Sequence, residues 1–376
     1  MGSYKYTMIR VLQIIGIAGS GGVESVIMNY YRHIDKNKIQ FDFVVHKGAV
    51  KSFVDEAKSM GAKVYEVTPY TENIFKFTCE IYRIIKKERY QIVHSNMNSL
   101  SAFPLFAAYM AGVKVRILHN HTTDNKAEGL RTWVKRLLRP FAKIFANQYW
   151  ACSNLAAEWM YGKKAIANNK VTIINNAIDL EQFKFNEQVR IRLRKELGLE
   201  NCFVIGHVGR FVKVKNHNFI VDVFKELVQQ EPYARLLLIG DGPLKSEIEE
   251  KVKKLELTEK VVFLGVRTDV ASLYNVMDVF LLPSLYEGLG MVAVEAQVNG
   301  SPVLVSEAVP NEAKITEFTE FCKLKNSLAI WRDEILKLID TGRMCNKETY
   351  EVSKFDIRMQ VQILEKIYSY LRGEKI

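Results

Sequence analysis

The 376-residue sequence has only eight prolines and no proline-rich, serine-rich or repeated tract, which excludes a disordered tail or a solenoid. Its five cysteines, Cys79, Cys152, Cys202, Cys322 and Cys345, are odd in number, widely spaced and never in C-x-x-C. Neither a disulfide framework nor a structural zinc site is expected, and a reducing compartment fits. Long apolar runs are missing too: the most membrane-like stretch, SAFPLFAAYMAGV, is too short to span a bilayer and carries Pro104. No secretory signal opens the chain. MGSYKYTMIRVLQII leads straight into a strand-like run, and Met8 can serve as a native start behind an added leader. There is no D-x-D pair, so the usual carboxylate clamp for Mg²⁺ or Mn²⁺ on a nucleotide is lacking. IIGIAGSGGVES fails as a dinucleotide fingerprint because Ala18 breaks G-x-G-x-x-G, and as a Walker A loop because no Lys follows its glycines.

What is present is length enough for two domains and a strict alternation of element types. MIRVLQIIG, FDFVVH, QIVHSN, VKVRILHNH, YWACSN and KVTIINNAI read as strands, and VESVIMNYYRHI and SLSAFPLFAAYMAG as helices between them. After IDLEQF the alternation restarts with helix EQVRIRLRKELGL and strands CFVIGHVGR, ARLLLIGDGP, VVFLG, VFLLPS and PVLVS, and the amphipathic MQVQILEKIYSYL closes the chain. The pattern predicts α/β architecture: two Rossmann-like domains of parallel strands facing a central cleft, over residues 1–184 and 185–358. A C-terminal helix, 359–376, is expected to pack back on the first domain. Charge is unevenly divided. Residues 1–184 hold 26 Lys and Arg against 14 Asp and Glu, a net +12, which leaves 27 against 28, or −1, for the remainder. An anionic surface or polymer would therefore meet the N-terminal half alone.

Four stretches carry chemistry. Gly19-Ser20-Gly21-Gly22 presents backbone amides at a helix start, which suits phosphate or sugar oxygens, though a purely structural turn has the same glycines. Arg210 and Lys215 in GHVGRFVKVKN follow a strand and precede a helix, where two cations can converge on a diphosphate or stand as solvated surface charges. His119 and His121 form H-x-H with Asp124 nearby, but no further acidic or His cluster supports a metal, and a strand-end imidazole facing the cleft is the better reading. SLYEGLGMVAVEAQ sets Glu287 in a turn and Glu295 among apolar residues of the helix that follows, which should run from near Gly290 to near Asn299. Its first amides offer a phosphate site flanked by two carboxylates that can accept from hydroxyls, the equipment for a nucleotide sugar.

In this order GSGGVE, HNH, NNAIDLEQF, VGRFVKVKN, LLIGDGPL, FLGVRTDV and YEGLGMVAVEAQ resemble, over nearly the whole chain, the retaining glycosyltransferases of the two-Rossmann (GT-B) type, glycosyltransferase family 4. The resemblance implies a donor held mainly by the C-terminal domain and an acceptor held mainly by the N-terminal one. It assigns the ribose hydroxyls to Glu295, hydroxyls of the transferred sugar to Glu287, and the diphosphate to Arg210 and Lys215. His121 falls near the sugar, with His119 its competitor, and Val266 and Arg267 border the base. The donor site on this resemblance also takes in Gly21, Gly22, Gly288, Leu289, Gly290, Met291 and Val292. Many relatives have Phe-Pro or Phe-Gly where Leu289-Gly290 stands, which alters the surroundings of the sugar. The activity implied is that of a metal-independent retaining hexosyl or N-acetylhexosaminyl transferase using a UDP-sugar, with no cofactor. A nucleotide-sugar epimerase of the same architecture, an NAD-dependent oxidoreductase and a non-catalytic binding protein are the alternatives.

Residues 129–157 contain Arg131, Lys135, Arg136, Arg139 and Lys143 and no acidic residue, interleaved with Leu130, Trp133, Leu137, Leu138, Phe141, Ile144 and Phe145. This reads as a basic amphipathic surface helix interrupted by Pro140, facing an anionic membrane, or as a core-packed helix with a solvated basic face. With the +12 half around it, the first reading predicts a cytoplasmic protein peripheral on the inner face of the cell membrane. Its acceptor would be a lipid-diphosphate-linked glycan of bacterial capsule or O-antigen synthesis, and no nucleic acid is expected as a partner.

Overall fold

The computed structural model describes residues 8–16, 18, 22–122, 130–343 and 350–373, with the backbone alone for 130–133 and 350. The chain divides into two compact units, Met1–Ile178 joined by Lys354–Ile376, and Asp179–Ser353. The first division thus falls at Ile178 where the sequence pointed to 184, and the return begins at Lys354 where it pointed to 359.

The first unit is a seven-stranded sheet in the order β3-β2-β1-β4-β5-β6-β7. Its strands are β1 (Ile9–Gly16), β2 (Ile39–His46), β3 (Val64–Val67), β4 (Ile92–Ser95), β5 (Val115–Asn120), β6 (Gln148–Ala151) and β7 (Val171–Ile173), all paired in parallel. Parallel strands are covered on both faces, so β2 can be buried at every residue. Its one charge, Asp42, is tolerated because Arg10 (2.5 Å), the Tyr90 hydroxyl (2.7 Å) and the Lys63 amide (2.7 Å) all donate to it.

The second unit is a six-stranded parallel sheet, β10-β9-β8-β11-β12-β13. It comprises β8 (Phe203–Val208), β9 (Ala234–Ile239), β10 (Val261–Gly265), β11 (Val279–Leu282), β12 (Val303–Ser306) and β13 (Thr319–Cys322), around a core that includes Phe211, Phe224 and Trp331. In both sheets the order turns back on itself beside the first strand of the unit. Loops leaving neighbouring strands diverge there, which is where such sheets bind ligands.

The helix Ile357–Arg372 starts at Asp356, whose side chain accepts from the Arg358 amide at 2.9 Å. It buries Ile357, Val361, Leu364 and Tyr368, spaced on one face, in the core of the first unit beside Phe41 and Trp150. Each such side chain contributes about 1.5 to 3 kcal/mol on burial. The helix Leu130–Phe145 is continuous through Pro140, correcting the expected interruption. Proline removes one amide from the ladder but leaves the neighbouring turns able to carry the helix on.

Candidate active site

The second unit assembles most of the predicted donor site. β8 ends at Val208, and the chain then turns through Gly209 and Arg210 against the loop after β9: the Phe211 amide donates to the Asp241 carbonyl at 2.9 Å. The approach is so close that a Cβ on Gly240 would stand 2.1 Å from the Gly209 carbonyl oxygen, and Gly240 also has φ +134°. These two loops leave Arg210 exposed just past the strand end. Lys215 closes the following 3₁₀ turn, Lys213–Lys215, and its Nζ lies 2.7 Å from Glu287 Oε1. The Ser284 hydroxyl donates to the same oxygen at 2.6 Å, and the Leu285 amide donates to the Val214 carbonyl at 2.8 Å, tying the two loops together.

Glu287 is followed by Gly288, Leu289 and Gly290, and Gly290 caps the helix Met291–Val298 at φ +86°. A side chain there would be strained, and its Cβ would press on Val309 Cγ1 at 3.2 Å. The helix begins and ends where expected, so Met291 and Val292 supply first-turn amides that have no intrahelical carbonyl. Glu295 lies in the second turn, where the Tyr274 hydroxyl donates to it at 2.7 Å. Burial raises the Glu295 carboxyl, against the pull of that hydroxyl and of the Lys215 charge. Lys215 therefore influences both glutamates. Val266 and Arg267 follow β10. Val266 is exposed, and Arg267 forks onto Asp269 of its own turn at 2.8 and 2.7 Å.

In the first unit Gly21 lies outside the described residues, as does Asp124, and Gly22 opens the helix Gly22–His33. His119 ends a buried chain: its Nδ1 lies 3.0 Å from His94 Nε2, and His94 Nδ1 lies 2.7 Å from the Tyr368 hydroxyl. His121 Nε2 meets Asn96 Oδ1 at 2.9 Å, and the two imidazoles of the H-x-H pack at a tilt of 37° with centroids 4.0 Å apart. Both rings border a cavity of this unit, under the Gly22–His33 helix, together with Tyr30, Asn176 and Leu364. Burial drives His119 well below its usual range and His121 down to about 4, so both are neutral near pH 7. Among the described residues no three His, Cys, Asp or Glu side chains converge as metal ligands.

On the helix Leu130–Phe145 the outward side chains are Val134, Leu137, Phe141 and Ile144, all large, apolar and exposed. Ala142 is buried, and Arg139 donates to the Trp159 carbonyl at 2.6 Å, so the inward face is small and partly polar. Phe145 meets Phe106 and Tyr109 of the neighbouring helix Ala102–Met110, whose Phe106, Tyr109 and Met110 are also exposed. The apolar stripe thus faces outward, against the core-packed reading. Arg136 is exposed beside it, Lys135 and Lys143 are half-buried, and the Arg131 and Trp133 side chains lie outside the described residues. No helix among the described residues is long and apolar enough to cross a membrane.

Sequence reasoning missed Tyr274, Ser284, His94, Asn96 and Tyr368, the partners of the predicted residues. Only the need of a buried carboxylate for a donor pointed toward any of them.

The profile described as "Glycosyl transferases group 1" matches residues 189–350, and that of "Glycosyltransferase Family 4" matches residues 20–182. A Bacillus subtilis (strain 168) protein named as glycosyltransferase EpsF is 32% identical over 96% of this chain and 96% of its own. The Escherichia coli UDP-Gal:alpha-D-GlcNAc-diphosphoundecaprenol alpha-1,3-galactosyltransferase is 24% identical over 96% of this chain and 97% of its own. Among solved structures, Anabaena HepE in complex with UDP and glucose aligns at a TM-score of 0.76 and 19% identity, covering 96% of this chain and 100% of HepE.

Proposed function

We propose a reaction from one premise: the chain belongs to the family 4 glycosyltransferases, with the group 1 glycosyl transferase domain in its C-terminal half and two parallel α/β sheets of the GT-B type. It moves a sugar, with retention, from a UDP-sugar to a lipid-diphosphate-linked glycan in bacterial surface polysaccharide synthesis. The observation that carries this reading is the cluster of Lys215, Glu287 and Glu295 around the start of the Met291–Val298 helix. A uridine donor is supported by the UDP of the HepE structure and the UDP-Gal in the name of the Escherichia coli relative.

Breaking the anomeric bond leaves negative charge on the β-phosphate. Arg210, Lys215 and the first amides of the helix stabilise it as fixed donors that need no reorganisation, so the reading requires no metal. The acceptor hydroxyl attacks the face the phosphate leaves, its oxygen bonds to the anomeric carbon, and the departing phosphate oxygen takes its proton. Glu295 accepts from the ribose hydroxyls and Glu287 from the transferred sugar.

The outward stripe Val134, Leu137, Phe141 and Ile144, with Phe106, Tyr109 and Met110 beside it and Arg136 among them, docks the first unit on anionic lipid. The lipid-linked acceptor in the name of the Escherichia coli relative supports that location. The test is a thermal-shift screen of UDP-, GDP- and ADP-sugars, followed by identification of the product. A UDP-sugar should raise the melting temperature and yield an axial or equatorial linkage matching the donor anomer. Epimerised nucleotide sugar with no transfer product would overturn the reading.

A further inference from the structure

Glu295 is the one acidic residue of the helix Met291–Val298, and its neighbours Ala293, Val294, Ala296 and Val298 are buried apolar side chains. The hydrogen bond it receives comes from outside the helix: the Tyr274 hydroxyl donates to Oε2 at 2.7 Å. Oε1 accepts from no described residue, yet it is not sealed in the interior, and part of the side chain stays open to solvent. Tyr274 itself is fully buried. Its ring packs against Phe183 and Phe280 with centroids 5.9 and 5.6 Å away, and its backbone carbonyl receives from Arg343 at 3.1 Å. The core thus fixes the phenol oxygen, and the phenol oxygen meets the carboxylate.

A carboxylate only accepts, so while Glu295 is ionised the bond has one direction, from Tyr274 to Glu295. The hydroxyl has a second acceptor in reach, the Val292 carbonyl oxygen at 3.2 Å, but its single proton goes to the nearer and charged oxygen. Protonated Glu295 would reverse the arrangement, donating to the phenol oxygen while the phenol donates to Val292. That exchanges a charge-assisted hydrogen bond for neutral ones, which are about half as strong. The phenol therefore favours the ionised carboxyl, against the effect of burial, and Lys215 acts in the same sense as the phenol. The other charged groups around the helix are Glu287, bound to Lys215; Glu181, bound to Lys184; and Glu312 of the turn Asn311–Ala313. Among the described residues none of these three bears on the Glu295 carboxyl.

We propose that Tyr274 is a positioning residue for Glu295: by engaging Oε2 it holds the carboxylate ionised in one rotamer and leaves Oε1 outward as an acceptor for hydroxyl groups. On the glycosyltransfer reading above, those hydroxyls belong to the ribose of the donor. A vicinal diol gives its protons to a carboxylate, so the site needs the charged form; a protonated carboxyl has one acceptor fewer and one donor too many. Without the phenol oxygen Glu295 faces burial with the Lys215 charge alone, takes up a proton at higher pH, and loses the contact that fixes its rotamer. Nucleotide binding then acquires a pH dependence that the unmodified chain lacks.

Carboxyl ¹³C spectra of the full-length chain labelled at glutamate Cδ test this without ligand, with Glu295 assigned by its absence from Glu295→Gln. In the unmodified chain Glu295 should be ionised at pH 7. In Tyr274→Phe, which keeps the ring between Phe183 and Phe280, its midpoint should rise by about one pH unit or more, the tenfold effect at the low end for a hydrogen bond to a charged group. With 3-fluorotyrosine in place of Tyr274, a stronger donor of nearly the same shape, the midpoint should fall, and this variant decides the point if the phenylalanine chain folds poorly. A protonated Glu295 at pH 7 in the unmodified chain, or a midpoint unmoved in both variants, would overturn the proposal. UDP is then titrated calorimetrically into the unmodified chain and Tyr274→Phe at pH 8, 7 and 6, and the ratio of the two affinities cancels the ionisation of UDP itself. The loss in Tyr274→Phe should widen as pH falls, by up to about 10-fold per unit, because the variant must release a proton to bind. A loss that is the same at every pH would make Tyr274 merely structural. If Glu295→Gln binds UDP as tightly as the unmodified chain, the ribose assignment fails alone, because the carboxyl titration is read without nucleotide.

Discussion

Lys215 Nζ lies 2.7 Å from Glu287 Oε1, with 19% of the lysine side chain and 12% of the glutamate side chain exposed. The cation assigned to phosphate is thus held by the carboxylate assigned to sugar, and removing either leaves a mostly buried charge without its counter-charge. Lys215→Met and Glu287→Gln should each destabilise the protein by about 1 to 3 kcal/mol, and the double variant by less than their sum. Urea unfolding of the four proteins measures the coupling, and strictly additive losses would show the pair to be incidental.

Glu295 and Glu287 should separate in binding and turnover. Ribose hardly changes during the reaction, so Glu295→Gln should weaken free UDP and UDP-sugar together by roughly 10- to 150-fold, the range for one charged hydrogen bond. Glu287→Gln should lower kcat by more than it lowers UDP affinity. Calorimetry with UDP beside turnover assays distinguishes them, and UDP affinity lost only in Glu287→Gln would reverse the assignment.

Turnover should persist in excess chelator, because Arg210, Lys215 and the helix start at Gly290 supply fixed positive charge where a metal would otherwise sit. Loss of turnover in EDTA with recovery on adding Mg²⁺ or Mn²⁺ contradicts this.

Membrane docking should depend on both charge and apolar surface. Lys135→Gln, Arg136→Gln and Lys143→Gln together should weaken binding to phosphatidylglycerol vesicles by about 1 kcal/mol per cation. Leu137→Ser, Phe141→Ser and Ile144→Ser should abolish it. Arg139 is left intact because its guanidinium holds the Trp159 carbonyl. Unchanged co-sedimentation of both triple variants would exclude this surface.

Stability should fall as the medium is acidified below pH 6.5. His46, His94, His119, His121, His207 and His217 all titrate below their usual range because of burial, His121 and His217 at about 4. Between that value and 6.5 the unfolded chain binds protons that the folded chain does not, so the stability present above 6.5 is lost as pH falls toward 4. Each histidine adds at most about 1.4 kcal/mol per pH unit. Glu295, raised by burial, acts in the opposite sense at the acid end. Urea midpoints from pH 7 to 4.5 check the slope, and a flat profile would contradict it.

Central parallel strands announced themselves as continuous apolar runs, since burial on both faces demands it of β1 and β11 alike. The two strands that escaped notice, β3 and β13, are sheet edges, where VYEV and TEFC are only half covered and mix polar with apolar residues. Glu287, Glu295, Arg210 and Lys215 were legible because glycine and strand ends mark where a chain must turn. Their partners were not: Tyr274 sits 21 positions before Glu295, and Tyr368 lies 274 positions after His94, separations that no local pattern encodes.

The return of the chain at Lys354 has a consequence for how the protein is made. Tyr368, Val361 and Leu364 complete a core whose other members, Phe41 and Trp150 among them, leave the ribosome far earlier. Domains generally fold in the order of synthesis. Here the first unit must wait, its gap open, while the whole second unit emerges and folds, and translation stopped anywhere before the last helix yields a finished second half attached to an unfinished first.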